Sequence, residues 1–153
     1  MKKQLIAAFA VLSATLLLSG VSMAQRCSEP GVIKSVTKAR SAGFETITFE
    51  VLSKDPKFEV KNAKPPFSMY ASEKPLRIKG SAFKSIVFRE VNWTCKIREN
   101  LSAATATITA VKNIEQFEGQ VEYIIGYSAR SKYVGQSSAA TKTGRKITLK
   151  FKR

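Results

Sequence analysis

The sequence predicts an all-β fold, a single antiparallel β-sandwich or partly open barrel preceded by a cleaved signal peptide, and three observations predict it. Apolar residues alternate with polar ones at period 2, no helical periodicity is sustained beyond the N-terminal segment, and Pro, Gly and Asp punctuate the alternation at short intervals. Each such strand buries one face only. Many short strands at this spacing therefore close as two facing sheets or as a barrel.

The N-terminal segment is the first element. Lys2 and Lys3 form a positive start, residues 5–21 form an apolar run, and Ser22-Met23-Ala24 supplies the small residues that a signal peptidase reads. Cleavage is expected after Ala24, leaving residues 25–153 as one domain that is secreted or periplasmic. The apolar run is interrupted by Ser13, Thr15, Ser19 and Gly20 and falls short of the roughly 20 residues of a membrane span, so no transmembrane segment is expected after processing. Cys27 follows Arg26 rather than the small residues, which argues against a lipid anchor.

Within the domain three segments alternate most clearly. Residues 44–51 put Ile47, Phe49 and Val51 on one face and Thr46, Thr48 and Glu50 on the other. Residues 91–97 align Val91, Trp93, Cys95 and Ile97. Residues 146–152 turn Ile147, Leu149 and Phe151 inward and Lys146, Thr148, Lys150 and Lys152 outward. Weaker strand candidates span 32–38, 57–61, 76–79, 83–88, 104–111 and 120–127. Turns are expected at Lys54-Asp55-Pro56, Lys64-Pro65-Pro66, Lys74-Pro75 and Thr143-Gly144, and Pro65-Pro66 has no place in a central strand. Residues 128–143, rich in Ser, Ala, Lys and Gly, read as a long exposed loop before the last strand.

The two cysteines, Cys27 and Cys95, are expected to form a disulfide in an exported protein; two separate buried thiols are the alternative. Such a bridge closes a long loop and stabilises by about 4 kcal/mol on the chain-entropy estimate.

Charge and missing residue types narrow the function. The chain has 26 Lys+Arg against 11 Asp+Glu; losing Lys2 and Lys3 with the leader leaves 24 against 11, a net +13. That surplus speaks of anionic partners. Histidine is absent, which excludes Ser-His-Asp and Cys-His mechanisms and His-ligated metals. No phosphate-cradling glycine motif occurs, so neither an enzyme, a cofactor nor a metal is expected. A glycan hydrolase using Glu115 or Glu118 is the weakest class, because two acids three residues apart beside a strand resemble surface solvation. Nucleic acid is possible from charge, but no nucleic-acid-binding motif supports it.

The candidate ligand-binding residues are Arg130, Lys132, Arg145, Lys146, Lys150 and Lys152, with Lys142 and Arg153 nearby. Lys146, Lys150 and Lys152 share one side of a strand and form a ladder for a polyanion; lysines guarding an edge strand are the alternative. Tyr70, Tyr123, Tyr127 and Tyr133 offer rings for stacking, although the spacing of Tyr123 and Tyr127 suits the rim of a core.

The segments Gly43-Phe44-Glu45-Thr46-Ile47-Thr48-Phe49-Glu50, Phe58-Glu59-Val60, Leu76-Arg77-Ile78-Lys79-Gly80-Ser81-Ala82, Phe117-Glu118-Gly119 through Gly126, and Arg145 through Phe151 resemble the AMIN-like family of secreted bacterial β domains. The similarity runs from about Gly31 to Phe151. It implies a non-catalytic β-sandwich related to modules that place cell-wall amidases and secretin components in the envelope. The chain departs from the pattern of the family it resembles at Thr46, where the family often has Arg, and at Lys150, where it often has an acidic residue. The expected function is attachment to an anionic cell-envelope polymer such as peptidoglycan. The alternative is a secreted protein-interaction or effector module that captures an envelope protein through its sheet edge and the 128–143 loop.

Overall fold

The computed structural model describes residues 27–95 and 107–153. The expected leader 1–24 and its cleavage position lie outside the described residues, as do 96–97, 104–106 and the side chain of Trp93.

Eleven strands follow one another: β1 (Val32–Ser41), β2 (Phe44–Val51), β3 (Lys57–Ala63), β4 (Phe67–Ser68), β5 (Pro75–Leu76), β6 (Ala82–Arg89), β7 (Trp93–Thr94), β8 (Ile108–Phe117), β9 (Gln120–Tyr127), β10 (Lys132–Ala140) and β11 (Arg145–Lys152). They form a five-stranded sheet in the order β10-β11-β2-β1-β7, a four-stranded sheet in the order β3-β6-β9-β8, and the small pair β4-β5. All pairings are antiparallel except the two-residue contact of β7 with β1. The two main sheets face each other across one core and do not close into a barrel, which is the sandwich arrangement.

The period-2 pattern explains the core. Ile47, Phe49 and Val51 of β2 and Ile147, Leu149 and Phe151 of β11 are fully buried and meet Ile86 and Phe88 of β6 and Val121, Tyr123 and Ile125 of β9. Phe49 bridges the layers, its ring centroid 5.2 Å from those of both Phe88 and Tyr123. Tyr127 packs on Phe151 at 5.0 Å. Tyr123 and Tyr127 are thus core residues and take no part in the lysine-bearing face.

The same alternation places Ser85, Val87 and Ile124 on the opposite face of the four-stranded sheet, and they too are buried. Segment 64–81 crosses that face. Phe67 packs edge-on against Phe83 at 4.9 Å, and the Tyr70 N–H donates to the Ile114 carbonyl. At Gly126 the crossing is closest, since a Cβ there would stand 2.0 Å from the Lys79 carbonyl oxygen. Only glycine admits that approach.

Besides the strand expected over 104–111, which among the described residues runs Ile108–Phe117 and so includes Glu115, three sequence expectations change. The strand expected over 91–97 comprises only Trp93–Thr94 among the described residues, although Val91 and Cys95 are buried as the alternation requires. Its neighbour over 76–79 shrinks to Pro75–Leu76, because the chain then leaves the β4-β5 pair to cross β9. The third change concerns 128–143. Residues 132–140 are strand β10, bonded along β11 from Lys132↔Lys152 to Ala140↔Arg145. Its small polar side chains hide the strand, because backbone pairing rather than burial holds it in place.

Glu45 is the one buried acid of the five-stranded sheet, only 1% exposed and on the inward side of β2. Its carboxylate accepts the Ile108 N–H at 2.9 Å and lies 3.7 Å from Lys38 Nζ and 4.0 Å from Arg40 Nε. Charge and hydrogen bond together tie β1 and β2 to the start of β8. Replacing Glu45 with Ala removes the acceptor and the countercharge, and is expected to cost about 3 kcal/mol in urea unfolding. A cost below about 1 kcal/mol would show that the tie contributes little beyond packing.

Candidate functional site: the outer face of the five-stranded sheet

β11 is an interior strand, flanked by β10 and β2. The edge-strand alternative for its lysines is therefore overturned, and the free edge belongs to β10. With the odd-numbered residues 147, 149 and 151 committed to the core, Lys146, Lys150 and Lys152 point outward and are exposed.

Register turns this strand into a surface. Directly opposite residues of adjacent antiparallel strands share a face, so the outer face consists of four rows across β10, β11, β2 and β1. One row is Ala139, Lys146, Glu50 and Ser35; the next is Ser137, Thr148, Thr48 and Thr37. The third is Gly135, Lys150, Thr46 and Ala39, and the last is Lys132, Lys152, Phe44 and Ser41. Hydroxyl and small side chains keep this surface low between the lysines. Thr48 and Thr148 share a hydrogen bond of 2.9 Å in the middle of it.

The cations differ in what holds them. Lys150 Nζ sits 3.9 Å from the centroid of the Phe44 ring, a cation–π contact that steers the side chain while leaving its charge unneutralised. Lys132 and Lys152 stand opposite each other as like charges, an arrangement that a bound anion relieves. Glu50 is the single acid of these rows, and it accepts hydrogen bonds from Lys34 at 3.1 Å and Ser35 at 3.3 Å. Lys57 of β3 shows the contrast. Its ammonium donates to Glu90 at 2.5 Å, and this hydrogen bond and charge raise its pKa above the ordinary 10.5.

Thr46 and Lys150 are direct cross-strand partners of β2 and β11, so a hydroxyl and not an acid faces Lys150 in the centre of the face.

The other sequence candidates are placed elsewhere. Arg145 has the inward parity of Ile147 and is engaged at the strand end, its Nε donating to the Lys54 carbonyl at 2.8 Å and its Nη1 to Ser138 Oγ at 3.0 Å. It stabilises the β10–β11 end and is not a member of the ladder. Arg130 lies exposed in the turn closed by Ser131 N–H to the Ser128 carbonyl, two residues before Lys132, and Lys142 lies in the turn after β10. Tyr133 is half-buried, 5.4 Å from the Phe151 ring with Lys84 Nζ 4.5 Å above it, and burial pushes its phenol above the usual pKa. Tyr70 is exposed beside Phe117, at 6.3 Å.

Glu115 is opposite Glu122 in the β8–β9 register, and Glu118 occupies the hairpin turn with φ of 47°. Cys27 and Cys95 form a disulfide with Cα atoms 5.7 Å apart, as expected. Among the described residues no cluster of three or more Cys, Asp or Glu suits a metal, and no helix is long and apolar enough to cross a membrane.

Sequence reasoning missed Glu45 and the β10 half of the face. For Glu45 the signal was present, because it has the parity of Ile47, Phe49 and Val51. For β10 it was not, since Gly135, Ser137 and Ala139 carry no strand preference of their own.

The described residues thus form an open two-sheet β-sandwich with a cationic, hydroxyl-bearing face. The chain belongs to the AMIN-like domain family, whose sequence profile matches residues 31–144. AMIN-like domains are targeting and binding domains of the cell envelope. Comparison with curated proteins gave no match.

Proposed function

We propose that the protein is exported with loss of residues 1–24 and that its outer sheet face attaches it to an anionic cell-envelope polymer such as peptidoglycan. The observation that carries this is the alignment of Lys146, Lys150 and Lys152 with Lys132 on one sheet face that holds a single acid, Glu50. A flat cationic face suits a chain-like anion that lies across several strands, each contact weak and the sum strongly screened by salt. Mature protein beginning at Gln25 is expected to sediment with purified peptidoglycan sacculi at low ionic strength and to be released by about 0.5 M salt, where the screening length falls below about 5 Å. Failure to sediment at low salt would sink the proposal.

Capture of an envelope protein through the free edge of β10 is a second reading, favoured by one observation. Val134 is 45% exposed on that edge, beside the bulge between Tyr133 and Gly135. An added strand would pair with β10 and cover Val134. Val134→Lys is expected to abolish capture of such a partner while leaving sedimentation with sacculi unchanged; equal capture by the variant would refute strand addition.

A further inference from the structure

An open cavity of about 740 Å³ lies apart from the lysine ladder, since none of its lining residues comes from β10, β11 or β2. It opens between the end of β3 and the limb 76–81 that returns to β6. Its apolar wall is formed by Phe67, Leu76, Ile78 and Phe83, with Tyr127 reaching it from the core strand β9. Apart from Tyr127 these residues belong to segment 64–81 and the start of β6, outside the principal core cluster. Phe67 is buried and Leu76, Ile78 and Phe83 are half-buried.

The wall is held open by the backbone. Thr109 Oγ1 donates to the Lys79 carbonyl at 2.7 Å, the Ser81 N–H donates to the Tyr127 carbonyl at 3.0 Å, and Lys79 rests on Gly126 so closely that no Cβ fits. The limb cannot move inward to fill the space, because β9 stops it. The volume lies within the range of small-molecule clefts, and the apolar wall is bordered by the polar side chains of Asn62, Lys64, Arg77 and Ser81.

Charge selects the occupant. The two charged residues that line the cavity, Lys64 and Arg77, are both cations and both exposed, and no Asp or Glu joins them among the described residues. We infer that this cavity binds a free amphipathic organic anion, its apolar chain against Phe67, Leu76, Ile78 and Phe83 and its anionic head at Lys64 and Arg77. Burying the chain removes apolar surface from water, and the forked guanidinium of Arg77 suits a carboxylate better than any neutral head. This second site is independent of polymer attachment.

Decanoate below its micelle concentration is the probe, with decyltrimethylammonium as the same chain under the opposite charge. In titrations of the full domain followed by amide NMR, decanoate is expected to shift residues 62–64 and 76–83 saturably and to bind at least ten-fold more tightly than the ammonium probe. The double variant Lys64→Glu/Arg77→Glu is expected to reverse that order with an unchanged unfolding midpoint, since both positions are exposed. Ser81→Trp, which fills the cavity from an exposed position, is expected to abolish decanoate binding with both cations in place. Equal affinity for the two probes, shifts confined to β10 and β11, or no saturable shift would each overturn the inference.

Discussion

Changing Lys146, Lys150 and Lys152 together to Glu is expected to reduce retention on peptidoglycan sacculi at low salt by at least about ten-fold. Each exposed cation contributes about 0.2–1 kcal/mol to an ionic contact. Reversal removes three such contributions and adds repulsion, and about 1.4 kcal/mol already amounts to a factor of ten. Position is expected to matter more than total charge. Lys54, Lys61 and Lys74 are also exposed but lie off this face, so converting them to Glu changes the net charge equally and is expected to leave most of the retention intact. Sedimentation of the two triple variants against salt checks this. Equal loss in both would mean that the surplus charge, and not the register of β11, carries the binding.

Replacing both Cys27 and Cys95 with Ser is expected to cost about 4 kcal/mol of stability. The bridge spans 68 positions, so its loss frees a large part of the unfolded chain. In the folded domain it fastens the N-terminal segment to the strand region at Cys95, whose N–H donates to the Ile33 carbonyl at 2.9 Å. Val32 and Ile33, five and six positions beyond Cys27, are buried, so slackening there exposes part of the core. Urea unfolding of the oxidised domain and the double variant measures the difference. Retention on sacculi under native conditions is expected to persist, because neither cysteine belongs to the cationic face. A stability loss below about 1 kcal/mol would show that the bridge constrains the unfolded chain far less than its loop length requires.

Burial of one face writes itself into sequence, and pairing does not. The extents of β2 and β9 are legible, because Ile47, Phe49 and Val51, or Val121, Tyr123 and Ile125, alternate toward a core built mainly of apolar groups. β10 is not, because Lys132, Gln136, Ser137 and Ala139 are all exposed and the strand exists through bonds to β11. Arg145 illustrates the same limit. Its position beside Lys146 suggested a shared role, yet the pleat sends the two side chains to opposite faces and binds Arg145 to Lys54 and Ser138.

By itself the sequence determined the all-β class, the disulfide partners, the export signal as an expectation and the outward parity of Lys146, Lys150 and Lys152, since these follow from local alternation, residue type and cysteine number. Tertiary structure alone decided that β11 lies inside its sheet, that Lys132 joins Lys152, that Thr46 faces Lys150, and that segment 64–81 lines an open cavity with the ends of β3, β6 and β9. Those facts depend on which strands pair and in what register. Register is settled by contacts between residues about a hundred positions apart, as between Thr48 and Thr148, and nothing in either neighbourhood alone encodes the match.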